Sequence, residues 1–229
     1  MAVGKTLTFY YIWYNFYWMI ALDRPKLYRK KSRPANVPAF LVFEIMDGKP
    51  YCYKGYKDVL NKTKTFEEII GTSSLQWKII EYLLRLLFKS LDGSRYSIAT
   101  NEPGLHLDFH NNLSGDILVF DKNELPGAAI SEKYTAVPGL LHIEVDIGAD
   151  LEHEPSLMYI EKKVNKLLAF GTQKVIWVFS GNKRVLIAQS PTNWQWHGWD
   201  ETLPLIGDVQ FNIAQFLQAE GVDIAGLSL

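Results

Sequence analysis

Cysteine is almost absent from this sequence, since Cys52 is the only one in 229 residues. A lone cysteine cannot form an internal disulfide, and it excludes a metal site built on several thiolates. This cysteine usage favours a reducing, cytoplasmic compartment. Acidic and basic residues nearly balance, with a formal net charge of −1. The molecule as a whole therefore would not attract a polyanion, and contact with nucleic acid would require a local basic patch.

Internal repeats, low-complexity tracts and long linkers are also missing, so one globular domain is the expectation. Residues 6–22 are the exception, because they carry no charge and are crowded with Tyr and Trp. This segment is at the short limit for a bilayer span, and its aromatic residues prefer membrane interfaces, so we do not expect it to cross a membrane. No small-residue cleavage pattern follows it, which disfavours a secretory signal.

We therefore expect an N-terminal aromatic and basic arm over residues 1–38 and a single domain over residues 39–229. The aromatic part would pack on the domain or on a partner, or it would precede a natural start of translation at Met19. The basic run from Arg24 to Arg33 could contact a phosphate backbone, although such runs are usually solvated tails.

The rest of the chain alternates strand-like and helix-like segments. Asp47-Gly48 between two short apolar runs is typical of a tight hairpin. Apolar residues at helical spacing predict one helix in SSLQWKIIEYLLRLLFKSL, capped by Ser73 or Ser74, and a second helix from Pro155-Ser156 to a stop at Gly171. Further strands are expected at RYSIAT, GLHLDF, SGDILVFD, residues 140–147, KVIWVF, RVLIAQS and WQWHGW, before a last amphipathic stretch, VQFNIAQFLQAEG. This order indicates a mixed α/β domain built around one sheet.

Carboxylates occupy two strands that are otherwise apolar. Asp116 begins the strand in SGDILVFD. In LLHIEVD, Glu144 and Asp146 lie two residues apart and share a strand face with His142. A buried ionised carboxylate costs several kcal/mol unless it is paired or bound to a metal. We therefore expect this polar row to line a wet cleft.

A lysine on the following helix is placed to reach that row. In helical projection, Lys163 lies at the border of the apolar stripe, beside Tyr159 and Phe170. Lys162 and Lys166 project more toward solvent. Because a lysine stem can lie along apolar surface while its ammonium group enters a polar pocket, Lys163 is the candidate.

Two or three carboxylates plus one lysine fit magnesium-dependent phosphodiester hydrolysis. Hard oxygen ligands hold the metal, the metal activates a water molecule, and a lysine positions that water or stabilises developing charge. The alternative from the residues alone is a binding domain whose acids are paired to Lys or Arg.

The order and spacing of several motifs resemble the Uma-two family of restriction endonucleases, within the PD-(D/E)XK nuclease superfamily. The resemblance covers about Ala39 to Leu217 and rests on VFEIMDGKPY, the helix after GTSSLQ, LSGDILVFD, LLHIEVD and KKVNKLLAFGTQKVIWVF. It implies a restriction-endonuclease-like core, in which a central mixed sheet is flanked by helices.

The resemblance also implies the site residues. Asp116 would be the first acid and Glu144 the second, and both would hold Mg²⁺ or Mn²⁺ together with the backbone carbonyl of Val145. The superfamily lysine usually follows the second acid by two residues, where this chain has Asp146, a candidate third ligand. In the Uma-two pattern the lysine lies on the next helix, a position that Lys163 fills before Gly171 and Trp177.

This chain departs from the family pattern at four accessory positions. Gly115 stands where proline usually precedes the first acid. Asp146 replaces a residue of an apolar-Ser pair and could bind metal or pair with His142. Tyr159 stands where members tend to carry an acid, and Gln76 where a histidine is common.

The resemblance implies a magnesium-dependent DNA endonuclease. Because superfamily enzymes often dimerise to cut both strands, we expect a homodimer, and we expect no organic cofactor. A nuclease-fold binding module without turnover, for nucleic acid or a protein partner, is the first rival, and a structural or membrane-associated protein is the second. Trp194, Trp196 and Trp199 could stack on unpaired bases, but such a cluster more often packs in a core or subunit interface, which is our expectation here.

Overall fold

The computed structural model describes residues 37–127, 130–152 and 154–227. The sequence-based expectations for the aromatic segment, for a start at Met19 and for the basic run from Arg24 to Arg33 fall outside these residues. Within the described ranges, no helix has the length and apolar character needed to cross a membrane.

The strands are β1 (Val42–Met46), β2 (Lys49–Cys52), β3 (Tyr96–Thr100), β4 (Gly104–Asp108), β5 (Asn111–Ser114), β6 (Ile117–Asp121), β7 (Leu141–Val145), β8 (Lys174–Phe179), β9 (Arg184–Ser190), β10 (Asn193–Gly198), β11 (Leu203–Ile206) and β12 (Val209–Phe211). The α-helices are α1 (Tyr56–Leu60), α2 (Ser74–Ser90), α3 (Ser156–Phe170) and α4 (Ile213–Ala219), and a 3-10 turn spans Ala39–Leu41.

A six-stranded sheet in the order β10-β9-β8-β7-β6-β3 forms the centre of the fold. Only the β7–β8 pair is parallel within this sheet, because α3 provides the crossover between those two strands. The remaining pairs are antiparallel. The predicted fold class, a central mixed sheet flanked by helices, is confirmed.

The two faces of the central sheet bury separate cores. On one face, α2 packs through Ile79, Leu83 and Leu87 against alternate residues of the sheet, together with β11, β12 and α4. On the other face, α3 packs through residues such as Ile160 and Val164. Because strand side chains alternate between faces, Glu144 and His142 project toward α3 while Ile143 and Val145 project toward α2.

A second sheet was not predicted from the sequence. It contains four strands in the order β2-β1-β5-β4 and packs with α3 in the same core. The predicted hairpin and GLHLDF belong to this sheet instead of the central one. Its joining strand, β5, escaped prediction because Asn111, Asn112 and Ser114 give it no apolar alternation. The β11–β12 hairpin was also missed.

The ends of the main elements follow their sequence signals. The Ser73 hydroxyl caps α2 by accepting a hydrogen bond from the Gln76 backbone N–H at 3.2 Å. Gly171 ends α3 with a φ of 118°, a left-handed conformation that other residues rarely adopt. The β1–β2 turn places both Asp47 and Gly48 at positive φ, as a tight hairpin requires.

Candidate active site

The register of β6 and β7 brings the two predicted acids together. Ile117 pairs with Ile143 in the antiparallel ladder, and the Asp116 N–H donates to the Ile143 carbonyl at 3.1 Å. Continuing this register by one residue places Asp116 directly opposite Glu144, with both side chains on the α3 face. The site is therefore built at the junction of two neighbouring central strands.

Glu144 lies at the centre of a buried ionic cluster. Its Oε1 is 2.9 Å from Lys163 Nζ and 2.6 Å from His142 Nε2. Lys163 Nζ is also 2.8 Å from Oε2 of Glu44, on β1. The predicted lysine and second acid thus meet, together with a third carboxylate from the smaller sheet.

Lys163 is wholly enclosed, with none of its side chain exposed. Its ammonium group lies 5.3 Å from the Phe43 ring centroid and 5.7 Å from that of Trp177. Aromatic rings therefore lie beside the ammonium group in addition to the two carboxylates that it contacts. Burial alone would lower the pKa of Lys163, but Glu144 and Glu44 raise it above its ordinary value. The lysine is therefore charged throughout the physiological range.

The pKa values of the two carboxylates shift in opposite directions. Burial raises the pKa of Glu44, against the opposing effect of Lys163. Burial also acts to raise the pKa of Glu144, but Lys163 and His142 together hold that pKa below its ordinary value. Glu144 is thus the carboxylate of this pair that is kept ionised.

Glu44 is a site residue that sequence reasoning missed. The Tyr159 hydroxyl donates a hydrogen bond to its Oε1, so Tyr159, at the position where the resemblance would place an acid, binds an acid supplied by β1. Glu44 shares its strand face with Met46, which is buried in the α3-side core. The signal available in the sequence was that Glu44 is an acid on the apolar face of a predicted hairpin strand.

Glu144 and His142, the inner part of the polar row, do not line a wet cleft, which corrects the expectation for these two residues, whereas Asp146 does line an open cleft. Glu144 is only 4% exposed, and His142 is fully buried. The expectation assumed unpaired acids, whereas α3 and β1 cover these two residues and α3 supplies Lys163 as a countercharge. Pairing thus replaces hydration as the means of offsetting the cost of burial.

Asp116 differs from Glu144 in remaining partly exposed. Its Oδ2 accepts a hydrogen bond from the Val145 N–H at 2.7 Å. Burial, followed by repulsion from Glu144, raises the pKa of Asp116 to about 7, against the lowering effects of the Val145 N–H and of Lys163. Asp116 is therefore more readily protonated near neutral pH than an ordinary aspartate.

Two further predicted residues meet beside Asp116. The Gln76 side-chain amide donates to the carbonyl of Val145 at 2.8 Å, from the first turn of α2. A carbonyl oxygen has two lone pairs, so this contact leaves one for a further partner. Gln76 thus holds the peptide that the family resemblance assigns to the metal site.

The sequence had allowed Asp146 to pair with His142, but the structure does not pair these two residues. Asp146 follows the end of β7 at a φ of 66°, and both of its carboxylate oxygens accept from the Ser180 hydroxyl at 2.8 Å. Its Oδ1 also accepts from the Ser180 N–H at 2.7 Å. The positive φ breaks the strand alternation that the prediction assumed, and His142 binds Glu144 instead.

Gly115 is explained by its neighbour on β7. A Cβ added at Gly115 would lie 2.5 Å from His142 Nε2 and 2.8 Å from Leu118 Cδ1. The imidazole therefore occupies the volume that a proline ring or any other side chain at position 115 would need. The departure from the family pattern at Gly115 is matched by the presence of His142.

The junction of β6 and β7 carries oxygen donors of the kind that Mg²⁺ prefers, namely the carboxylates of Asp116 and Glu144 and the carbonyl of Val145. Within residues 37–127, 130–152 and 154–227, no group of three or more His, Cys, Asp or Glu side chains is arranged to hold a metal. The two acids and one carbonyl would thus supply part of the coordination shell, which is how Mg²⁺ is usually bound. Asp116 Oδ1 and Glu144 Oε2 are the oxygens not used by the contacts above.

An open cleft of about 1110 Å³ lies beyond the carboxyl ends of β7 and β8. Gln76 and Asp146 line it, so the cleft reaches the Val145 peptide, while Phe179 and Trp196 form part of another wall. Asp116, Glu144 and Lys163 are not among its lining residues. The cleft adjoins the acidic cluster without containing it.

The three tryptophans of the β10 region have different surroundings. Trp199 is buried in the α2-side core, and Trp194 packs half-buried against the α3-side core, as expected. Trp196 is not part of either core, because it is 40% exposed and lines the cleft, so only the subunit-interface half of the expectation stays a prediction for it.

Comparison with known proteins supports the fold. No family model matches the chain, and no curated protein matches it. Among solved structures, the chain is similar to a protein from Anabaena variabilis ATCC 29413 described as "a putative nuclease belonging to DUF820". The two share 14% sequence identity at a TM-score of 0.55, over 76% of this chain and 89% of the other. At this identity the likeness shows a shared fold.

Proposed function

We propose that this protein is a metal-dependent DNA endonuclease of the Uma-two type, within the PD-(D/E)XK superfamily. The observation that carries the proposal is the meeting of Asp116, Glu144 and Lys163 at one junction of the central sheet. These three residues lie within a span of 47 positions, from Asp116 to Lys163, and come together on a fold shared with a protein described as "a putative nuclease". Sequence motif and geometry support the same residues.

Asp116, Glu144 and the Val145 carbonyl are the proposed ligands of Mg²⁺ or Mn²⁺. When bound, such an ion neutralises phosphate charge and lowers the pKa of a coordinated water. Gln76 orients the Val145 peptide, and the Val145 N–H orients the Asp116 carboxylate. Asp146 stays a candidate third ligand, and its hydrogen bonds with Ser180 fix the end of β7.

Lys163 has two proposed roles. In this structure its ammonium group keeps Glu144 ionised, which a metal ligand requires. Contact with the attacked phosphate or its water would require Nζ to leave Glu44, since the group is enclosed between two carboxylates. Glu44, whose pKa is raised, can take up a proton when that contact is lost.

Plasmid cleavage tests the proposal. We expect purified wild type to nick or linearise plasmid DNA in Mg²⁺ or Mn²⁺ but not in EDTA. Glu144→Gln should lose at least about 100-fold in rate because it removes a charged metal ligand. Glu161→Gln, at an exposed position on α3, is the matched control and should cut like wild type.

A binding module without turnover is the second candidate, and the complete enclosure of Lys163 favours it. In that case the cluster of Lys163, Glu144 and Glu44 would be structural. The protein would not cleave DNA, and metal binding would not depend on Glu144. Wild type that stays inactive in both metals, with circular dichroism showing a folded protein, would support this alternative. If wild type is active instead, linearisation without accumulated nicks would support a homodimer that cuts both strands.

A further inference from the structure

Three aromatic rings form a continuous stack from the buried cluster to the surface. The Trp177 and Phe179 rings are 5.9 Å apart and parallel within 1°, and Phe179 and Trp196 are 5.5 Å apart at 26°. Trp177 is buried against Lys163. Trp196, at the other end of the stack, is 40% exposed.

The sheet register aligns this stack with the candidate active site. Glu144 pairs with Trp177, Trp177 pairs with Leu186, and Leu186 pairs with Trp196. Trp196 therefore lies three strands from Glu144 in one cross-strand row and on the same face of the sheet. At roughly 4.8 Å per strand, the separation along the sheet is about 14 Å.

The charges of the cleft do not suit the backbone of a duplex. Two lysines and three acids line it: Lys54, Lys64, Asp58, Glu68 and Asp146. Lys64 and Asp58 also pair with each other at 3.1 Å. Because these charges nearly cancel, a ligand of this cleft would be held mainly by contacts that do not depend on net charge.

One exposed cation is nevertheless placed beside the stack. Arg184 pairs with Phe179 across β8 and β9, so their side chains leave the same face of the sheet. A guanidinium group next to an aromatic ring provides both a phosphate contact and a flat surface. Stacked rings and an adjacent arginine are two of the features that single-strand binding sites use.

We propose that the Trp177–Phe179–Trp196 stack is a platform for an unpaired base of the substrate. The inference rests on the proposed nuclease function and narrows its substrate to nucleic acid with a single-stranded segment beside the cut. A base stacks on the exposed face of Trp196, and Arg184 contacts a flanking phosphate. Every base has a π-face, so the platform is tolerant of sequence.

Binding of a labelled single-stranded oligonucleotide, followed by fluorescence anisotropy in EDTA, tests this inference. We expect Trp196→Ala to weaken binding roughly tenfold or more, the range found for loss of one base–aromatic stack. Trp196→Phe retains a ring and should stay close to wild type. Trp77→Ala is the matched control, since Trp77 is 49% exposed but does not line the cleft.

Three outcomes would overturn the inference. Trp196→Ala could bind the single strand as tightly as wild type, or a duplex of the same sequence could bind at least as tightly as the single strand. Sedimentation could also show that Trp196→Ala dissociates a dimer, which would assign the exposed ring to a second copy of this chain. Binding is measured without metal, so the effect of Trp196→Ala on binding can be determined even if the protein does not cleave DNA. If wild type cleaves DNA and Trp196→Ala binds the single strand as tightly as wild type, only the stacking platform is rejected.

Discussion

At the scale of single residues, the site depends on how one lysine shares its charge between two carboxylates. Lys163 contacts both Glu44 and Glu144 with no exposed surface, so each group has little access to water as an alternative partner. Removing one member of a buried ionic set leaves charge without compensation, which costs more than the set contributes when intact. The free energy of unfolding should therefore be sensitive to substitutions in this cluster.

Replacing the lysine by the uncharged, similarly shaped methionine tests that dependence. We expect Lys163→Met to lose about 3–5 kcal/mol in free energy of unfolding. Lys166→Met should lose only about 0–1 kcal/mol, because Lys166 forms a partly exposed pair with Asp47. Adding Glu44→Gln to Lys163→Met should recover part of the loss, and urea unfolding would measure all three. Equal losses for the two lysine variants would contradict the account.

The pKa of Asp116 makes a separate prediction about pH. Because that pKa is raised to about 7, folding keeps a proton that the unfolded chain has released between about pH 4 and pH 7. Asp116 therefore costs stability progressively as the pH rises through this window. Asp116→Asn can still accept from the Val145 N–H, and it avoids the charge.

Urea unfolding in EDTA measures that cost. Relative to wild type, Asp116→Asn should gain roughly 1–2 kcal/mol more at about pH 8 than at about pH 5, allowing for partial exposure of the carboxylate. A difference between the two proteins that stays constant with pH would show that Asp116 titrates near its ordinary pKa.

At the scale of secondary structure, β6 and β7 fit each other through one glycine and one histidine. His142 Nε2 occupies the space next to Gly115, and the same ring nitrogen binds Glu144. The strand pair thus both positions Glu144 and determines which residue can precede Asp116.

Gly115→Ala tests the fit of these strands. We expect it to lose about 1–3 kcal/mol, because a methyl group 2.5 Å from Nε2 must displace the imidazole. Gly93→Ala is the control, since an added Cβ there meets no atom within 4 Å. In Gly115→Ala with His142→Ala, the two losses should be less than additive by at least about 0.5 kcal/mol in a double-mutant cycle. Strict additivity would mean that the two positions do not compete for space.

The elements that sequence could predict are those with strong local signals. The hairpin turn at Asp47-Gly48, the cap at Ser73 and the stop at Gly171 all act within a few residues, so local pattern was sufficient. Strand β5 lacked such a signal, and its existence depends on partners in β1 and β4. Pairing between distant segments is tertiary information that periodicity does not contain.

At the scale of the whole molecule, α3 joins the two sheets and the site. The same helix closes the crossover between β7 and β8, fills the core between the sheets and carries Lys163. The helical position of Lys163 could be read from periodicity, because the border of an apolar stripe is a local property. Its partner Glu44 could not, since β1 is more than 100 residues away in sequence. Because the prediction did not include Glu44, it also did not anticipate that the cluster is buried.

The measurement that tests the central claim most directly is calorimetric titration of Mg²⁺ into the folded protein. We expect wild type to bind Mg²⁺ and Asp116→Asn to lose at least about tenfold in affinity, because it removes a charged ligand. Asp208→Asn, at an exposed turn, should bind like wild type. Binding that is absent from wild type, or equal in all three proteins, would show that the acids opposite each other on β6 and β7 are not a metal site.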